Sequence, residues 1–151
     1  MSIKDCTLKI EYDMTEVYKG LDKLSDKTKK AAEGALKDVT VLIANDVIKG
    51  SRVDTGHNRR SIAYRIGSKE TRPGSRTLYK GKGAEKPFNF DYENLKTGQS
   101  AIYSTSGYGG YLETGYTARN GRRIGGVPYF KPALDRHIGK FTKIMKEKLK
   151  W

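Results

Sequence analysis

The sequence predicts an α+β fold: an antiparallel sheet, a long N-terminal helix and a C-terminal helix packed on it, and a long hairpin-like insertion. Two patterns support this prediction. In three short segments apolar and polar residues alternate, which is the period of a half-buried strand. In two longer segments apolar residues recur every three or four positions, which is the period of an amphipathic helix. The chain has 151 residues, and we interpret all of it, 1–151, as a single domain.

The predicted strands lie at 6–12, 61–68 and 99–106. In the second segment, SIAYRIGS, the apolar residues Ile62 and Ile66 fall on the same side of an extended chain. The first and third segments, CTLKIEY and QSAIYSTS, alternate in the same way. Three strands of this kind, interrupted by turns, favour an antiparallel sheet with one face packed on helices.

The long helix is predicted from Thr15 to about Lys49. Asp13 precedes Glu16 by three residues, and this pattern is typical of the start of a helix. At the other end, Gly50 is suited to the left-handed conformation that often follows a last helical turn.

Shorter helices are predicted towards the C-terminus. The segment YGGYLETG, at 108–115, holds about one helical turn, and a last helix follows Pro132. The stretch 116–126 between them is a basic loop without an acidic residue. Its three arginines are Arg119, Arg122 and Arg123.

The insertion spans 69–98 and is mainly polar, although it contains the aromatic residues Tyr79, Phe88, Phe90 and Tyr92. It contains two of the four prolines and mixes basic with acidic residues. Loops of this length inside a compact domain are usually functional or disordered. We interpret this one as a long hairpin arm or a flexible insertion.

Charge is the most distinctive feature of the composition. Lysines and arginines number 30 against 17 acidic residues, so the formal net charge is +13. Such a chain is attracted to nucleic acid, acidic proteins or anionic lipid, although a solvated basic surface would have the same composition. The single cysteine excludes a disulfide framework within the chain, and no signal peptide or membrane span is expected. These features predict a soluble intracellular product, or a protein that is assembled inside a cell.

The sequence offers little chemistry for catalysis or metal binding. His57 and His137 are far apart, and Cys6 has no nearby partner, so no metal site is expected. Ser61 lies close to His57 in sequence, but this spacing alone does not make a catalytic triad. No glycine-rich segment matches a phosphate-binding loop. We therefore expect neither enzymatic activity nor a cofactor.

Asp54 and Glu113 are the candidate catalytic carboxylates, and each also has a simpler interpretation. Asp54 suits an Asx-type turn in which Gly56 takes a positive φ. Glu113 would form an ion pair with Arg59 or Arg60. We favour these structural roles.

Three motifs follow one another along the chain: VDTGHNRRSI at 53–62, YGGYLETG at 108–115 and GVPYFKPALD at 126–135. Their order and spacing resemble the Hong Kong 97 phage gene-ten-like family, which comprises neck, or tail-completion, proteins of long-tailed double-stranded DNA phages. The resemblance covers roughly residues 15–148. The matching residues to which structural roles are assigned are Asp54, Thr55, Gly56, Arg60, Glu113, Gly115, Pro128, Phe130 and Pro132.

The chain departs from the family pattern at one position within these motifs and at one position directly after the second motif. Asn58 stands where the family has an apolar residue, so the start of the second strand is expected to be more exposed. Tyr116 stands where the family has threonine. The insertion at 69–98 belongs to no motif, so the resemblance assigns it no role.

The resemblance implies a non-catalytic protein of the virion neck, the head–tail junction, that is present in the host cytoplasm during assembly. It implies a homo-oligomeric ring of six or twelve copies, in contact with the head-closure (stopper) protein and the tail terminator protein. It implies no membrane contact.

The three arginines of the basic loop, Arg119, Arg122 and Arg123, are candidate contacts for packaged DNA or for acidic patches on a neighbouring ring. The alternative function is that of a free basic nucleic-acid-binding protein. A small nuclease would need a carboxylate cluster for Mg²⁺, and the sequence does not supply one.

Overall fold

The fold is described from a computed structural model, in which helices pack on a four-stranded antiparallel sheet and a two-stranded hairpin follows the sheet in sequence. The structure describes residues 9–16, 26–52, 56–67, 69–74 and 95–150. The predicted α+β class, with an antiparallel sheet and both long helical regions, is confirmed.

The sheet has the spatial order β1-β4-β2-β3, and every neighbouring pair is antiparallel. Its strands, followed by those of the hairpin, are β1 (Lys9–Asp13), β2 (Ile62–Ile66), β3 (Lys69–Arg72), β4 (Gln99–Ser104), β5 (Gly115–Thr117) and β6 (Arg123–Gly125). Strands β2 and β4 lie within the predicted segments, and β1 overlaps the predicted strand at 6–12, of which 6–8 lie outside the described residues. β3 takes up the first residues of the predicted insertion, and 75–94 lie outside the described residues.

The helices in the described part of the chain are α1 (Asp26–Gly50), α2 (His57–Arg60), α3 (Gly109–Thr114), α4 (Phe130–His137) and α5 (Lys140–Leu149). α1 covers one face of the sheet because its apolar residues form a single stripe at helical spacing. The core lies between this stripe and the strands. It includes Leu36, Val39 and Ile43 from the helix and Ile62 and Ile102 from the sheet.

The N-terminal end of the predicted long helix falls only partly within the described residues. Thr15 and Glu16 are helical, and 17–25 lie outside the described residues. The backbone N–H of Thr15 donates to the Asp13 carboxylate at 2.7 Å, and the Thr15 hydroxyl also donates to it. These bonds, that of the hydroxyl first, hold the pKa of Asp13 below its usual value.

α1 ends differently from the prediction. Gly50 is its last helical residue and does not have the positive φ expected of a left-handed cap. The N–H of Ser51 still bonds to the Val47 carbonyl at 2.9 Å. The guanidinium of Arg59 donates to the carbonyls of Lys49, at 3.0 Å, and Ser51, at 3.1 Å. The predicted glycine cap is therefore wrong, because a cation from the first motif satisfies the last carbonyls.

The predicted C-terminal helix is present, but it is divided into the two helices α4 and α5. α4 begins at Phe130, so Pro132 lies in its first turn, where a missing N–H breaks no helical bond. Ile138 and Gly139 separate the two helices. Gly139 lies at this break, and glycine is among the poorest helix formers.

Charged side chains of both C-terminal helices contact acidic residues of α1. The Asp46 carboxylate contacts Arg136 at 2.8 Å and His137 at 2.9 Å. Further towards the start of α1, Asp38 contacts Lys148 at 2.8 Å. The chain direction of α4 and α5 is therefore opposite to that of α1.

Candidate functional site

The first motif forms a short turn that leads into β2. Gly56 has a φ of 74°, which lies in the left-handed region that favours glycine. α2 follows, and the Ser61 hydroxyl donates to the His57 carbonyl at 2.8 Å. Arg60 is exposed at the end of this turn. Asp54 and Thr55 lie outside the described residues, so their role in the turn stays a prediction.

Asn58 lies at the centre of a buried polar network, with only 3% of its surface exposed. Its amide nitrogen donates to the Ser51 hydroxyl at 2.6 Å and to the Tyr129 hydroxyl at 3.1 Å. Its amide oxygen accepts a bond from the Ser104 hydroxyl at 3.0 Å. The expectation that Asn58 makes this region more exposed is wrong, because three partners compensate the burial of its amide.

The Tyr129 hydroxyl joins all three motifs. It accepts the bond from Asn58 of the first motif and donates to the Gly109 carbonyl of the second at 3.2 Å. Tyr129 itself belongs to the third motif and is 3% exposed. Burial raises its pKa, so the phenol keeps the proton that it donates.

Glu113 makes the second link between these motifs. One of its carboxylate oxygens accepts the backbone N–H of Tyr129 at 2.6 Å and that of Phe130 at 2.9 Å. The other accepts the backbone N–H of Lys131 at 2.9 Å. These are the free amides at the start of α4, where the helix dipole favours negative charge. Glu113 therefore caps α4 from a distant part of the chain.

The predicted ion pair between Glu113 and Arg59 or Arg60 is wrong. The three amides at the start of α4 engage both oxygens of the carboxylate. Arg59 donates instead to carbonyls at the end of α1. We call the assembly of Asn58, Ser104, Gly109, Glu113 and Tyr129 the motif junction.

Beyond α3, strands β5 and β6 form a hairpin that is mostly exposed. Its base is closely packed. A Cβ atom on Gly115 would lie 2.3 Å from the Ile124 carbonyl oxygen, and one on Gly126 would lie 2.4 Å from that of Glu113. These positions therefore require glycine. Arg119, Arg122 and Arg123 are all exposed on the hairpin.

The other residues assigned from the motifs take different places in the fold. Phe130 is fully buried in the core, and Pro132 is half-buried in the first turn of α4. Pro128 is exposed just before that helix. Gly115 ends α3 and begins the hairpin, with a φ of 79°. The structure thus joins Glu113 and Phe130 at the start of α4 and places Gly115 at the base of the hairpin, while Pro128 lies at the surface.

Sequence reasoning missed most of the motif junction. Asn58 was visible only as a departure from the family pattern, and Tyr129 only as a position within the third motif. Ser104 gave no local signal, and Gly126 stood only as the first residue of the third motif. Their contacts connect segments that are far apart in sequence, so only the fold reveals them.

The polar groups of the motif junction are hydrogen-bonded to one another, which is typical of a network that stabilises the fold. Among the described residues, no group of three or more His, Cys, Asp or Glu side chains could hold a metal ion. No helix in the described part of the chain is long and apolar enough to cross a membrane.

Protonation of His57 should destabilise the fold. This side chain is 6% exposed and stacks on Tyr108, with ring centroids 6.0 Å apart. Burial, and then the charge of Arg60, lowers its pKa from the usual value of 6.5. Below that pH the unfolded chain takes up a proton that the folded chain resists, so the free energy of unfolding should fall as the pH decreases through 6.5.

Urea unfolding of the wild type and of His57→Gln on both sides of this pH measures the effect. Glutamine does not titrate, so the variant should lose less stability on acidification. Parallel pH dependences for the two proteins would contradict a depressed pKa at His57.

The fold and the motif junction define a small α+β protein in which the three sequence motifs stabilise the structure. The sequence model of the HK97-gp10-like family, described as "Bacteriophage HK97-gp10, putative tail-component", matches residues 15–115. The chain belongs to this family, which confirms the resemblance found in the sequence. No match was found among curated proteins, and none among solved structures.

The family is one of phage tail components, which is consistent with a structural protein of the virion. The family match ends at Gly115, so the third motif lies beyond it. The structure nevertheless attaches that motif to the matched region, because Glu113 and Gly109 bond to the residues that begin α4.

Proposed function

We propose that the protein acts in the neck of a long-tailed double-stranded DNA phage, where it completes the tail or joins it to the DNA-filled head. The observation that carries this proposal is the family match over 15–115, which includes the first two motifs. The third motif adds support, because its attachment through Glu113 makes it part of the same structural unit. Its partners in the neck would be the head-closure protein and the tail terminator protein.

A symmetric ring of six or twelve copies is the proposed form of assembly. Such a ring needs two different contact faces on each subunit, because each copy meets its neighbours head to tail. Within the described residues, large apolar side chains are exposed beside α1 and at the hairpin, and these regions could serve as contact faces. Leu42 and Ile138 are exposed on α1 and between α4 and α5, while Tyr116 and Val127 are exposed at the hairpin.

Electron microscopy of lysates from a phage or prophage that lacks this gene tests the proposed function. We expect DNA-filled heads and separate tails to accumulate, because each part assembles but the junction is incomplete. A plasmid copy of the gene should restore intact particles, which controls for effects on neighbouring genes. Intact infectious particles from the deletion would refute the neck function.

The alternative function, free binding of nucleic acid, is favoured by the exposed arginines of the hairpin. It predicts normal particles in the deletion together with DNA binding by the purified protein. The same deletion therefore separates the two functions.

A further inference from the structure

The hairpin at 115–125 carries positive charge that the neighbouring sequence does not balance. We call this segment the arginine hairpin. It contains Arg119, Arg122 and Arg123, and no acidic residue occurs between Glu113 and Asp135. Within the part of the chain that the structure describes, the side chains of Arg119 and Arg122 have no ion-pair or hydrogen-bond partner. Among the described residues, the Arg123 guanidinium donates only to the Thr114 carbonyl, at 3.4 Å.

The tip of the arginine hairpin is held in one conformation by its own backbone. The N–H of Ala118 bonds to the Arg122 carbonyl at 2.9 Å, and the N–H of Gly121 bonds to the Ala118 carbonyl at 2.9 Å. The Asn120 side chain accepts the N–H of Arg122 at 3.1 Å, and Gly121 has a φ of 80°. At the base, Gly115 is packed against the opposite strand. The arginines are thus presented on an ordered turn, which lowers the entropic cost of binding.

The chemistry of the tip fits a phosphate backbone better than a protein surface. Arg119, Asn120, Gly121 and Arg122 are all exposed, and none has an apolar side chain. Protein interfaces usually have an apolar centre, whereas the exposed Tyr116 of this hairpin lies in β5, away from the tip. Guanidinium groups bind phosphate oxygens with two parallel hydrogen bonds. A two-stranded ribbon is also narrow enough to approach a groove of duplex DNA.

We propose that the arginine hairpin contacts the phosphate backbone of duplex DNA, without sequence preference, through Arg119 and Arg122. This inference rests on the proposed neck function for the place where DNA is met, since the genome must pass through the head–tail junction. The contact itself is a property of the isolated chain. It can therefore be tested apart from the neck function.

The test is the affinity of the purified full-length protein for a short random-sequence DNA duplex, measured over a series of salt concentrations. The variant is Arg119→Gln with Arg122→Gln. Its matched control is Lys143→Gln with Lys146→Gln, which removes the same charge from two exposed positions of α5. Melting curves of all three proteins show that they are folded, and polyglutamate replaces DNA in a parallel titration.

We expect the affinity of the arginine variant for DNA to fall by tens of fold at about 0.1 M salt. The slope of log affinity against log salt concentration should decrease by the amount that corresponds to about two phosphate contacts. The lysine variant should lose much less. Equal losses in both variants would mean that binding follows net charge, and would overturn the proposal. Absence of DNA binding by the wild type, or tighter binding of polyglutamate than of DNA, would overturn it as well.

Failure of this inference and failure of the neck function give different results. If the hairpin does not bind DNA but the gene deletion still leaves heads and tails apart, the proposed DNA contact is refuted and the neck function is supported. If the deletion gives normal particles but the arginine variant loses DNA binding, the proposed neck function is refuted and the DNA contact is supported.

Discussion

Replacing Gly126 with alanine should destabilise the fold by at least about 3 kcal/mol, which would lower the melting temperature by roughly 10 °C. A Cβ atom at this position would lie 2.4 Å from both the Glu113 carbonyl oxygen and the Gly115 backbone nitrogen. Both neighbours are backbone atoms, so no side chain can rotate away to relieve the overlap. The base of the hairpin would have to separate from the end of α3, which carries Glu113.

The neighbouring glycine provides a matched control for this substitution. A Cβ atom on Gly125 meets no atom within 4 Å, so Gly125→Ala should leave stability nearly unchanged. Thermal unfolding of the two variants, followed by circular dichroism, compares one added methyl group at adjacent positions. Equal melting temperatures would show that the close approach at Gly126 does not exist.

The second large effect is expected at Glu113, where glutamine should cost about 2–3 kcal/mol, or roughly 5–10 °C in melting temperature. The carboxylate accepts three backbone N–H groups with its two oxygens and is 7% exposed. In glutamine one of these oxygens becomes an NH₂ group, so a donor would face a donor at the start of α4. The favourable interaction between the negative charge and the helix dipole would also be lost.

Glu147→Gln is the control for this change, because Glu147 is exposed on α5 and the same chemical replacement there should have little effect. Chemical denaturation of both variants gives the comparison. A Glu113→Gln protein as stable as Glu147→Gln would rule out a capping role for the Glu113 carboxylate.

The elements with regular periodicity could be predicted from the sequence. β2 and β4 lie within the predicted segments because alternation of apolar and polar residues reflects one buried face of a sheet. The stripe of α1 was equally clear. The hairpin of β5 and β6 was missed, because each strand has only three residues and their pairing leaves no pattern long enough to detect.

The candidate site was harder to predict because its strongest contacts involve the backbone. The opposite charges of Glu113 and Arg59 are visible in the sequence, and they suggested an ion pair. The amides at the start of α4 are invisible there, since every residue except proline has one. The fold places the Glu113 carboxylate beside three of these amides, and it accepts their hydrogen bonds. Arg59 instead donates to carbonyls at the end of α1.

The central position of β4 affects how the protein is made. A chain leaves the ribosome N-terminus first, so β1 and β2 are synthesised before the strand that pairs with both of them. Until β4 emerges, β2 can pair with β3, but β1 must wait for a contact as distant as that between Lys9 and Tyr103. Unpaired strand edges can pair with other chains. The nascent protein is therefore most exposed to aggregation between the synthesis of β1 and that of β4.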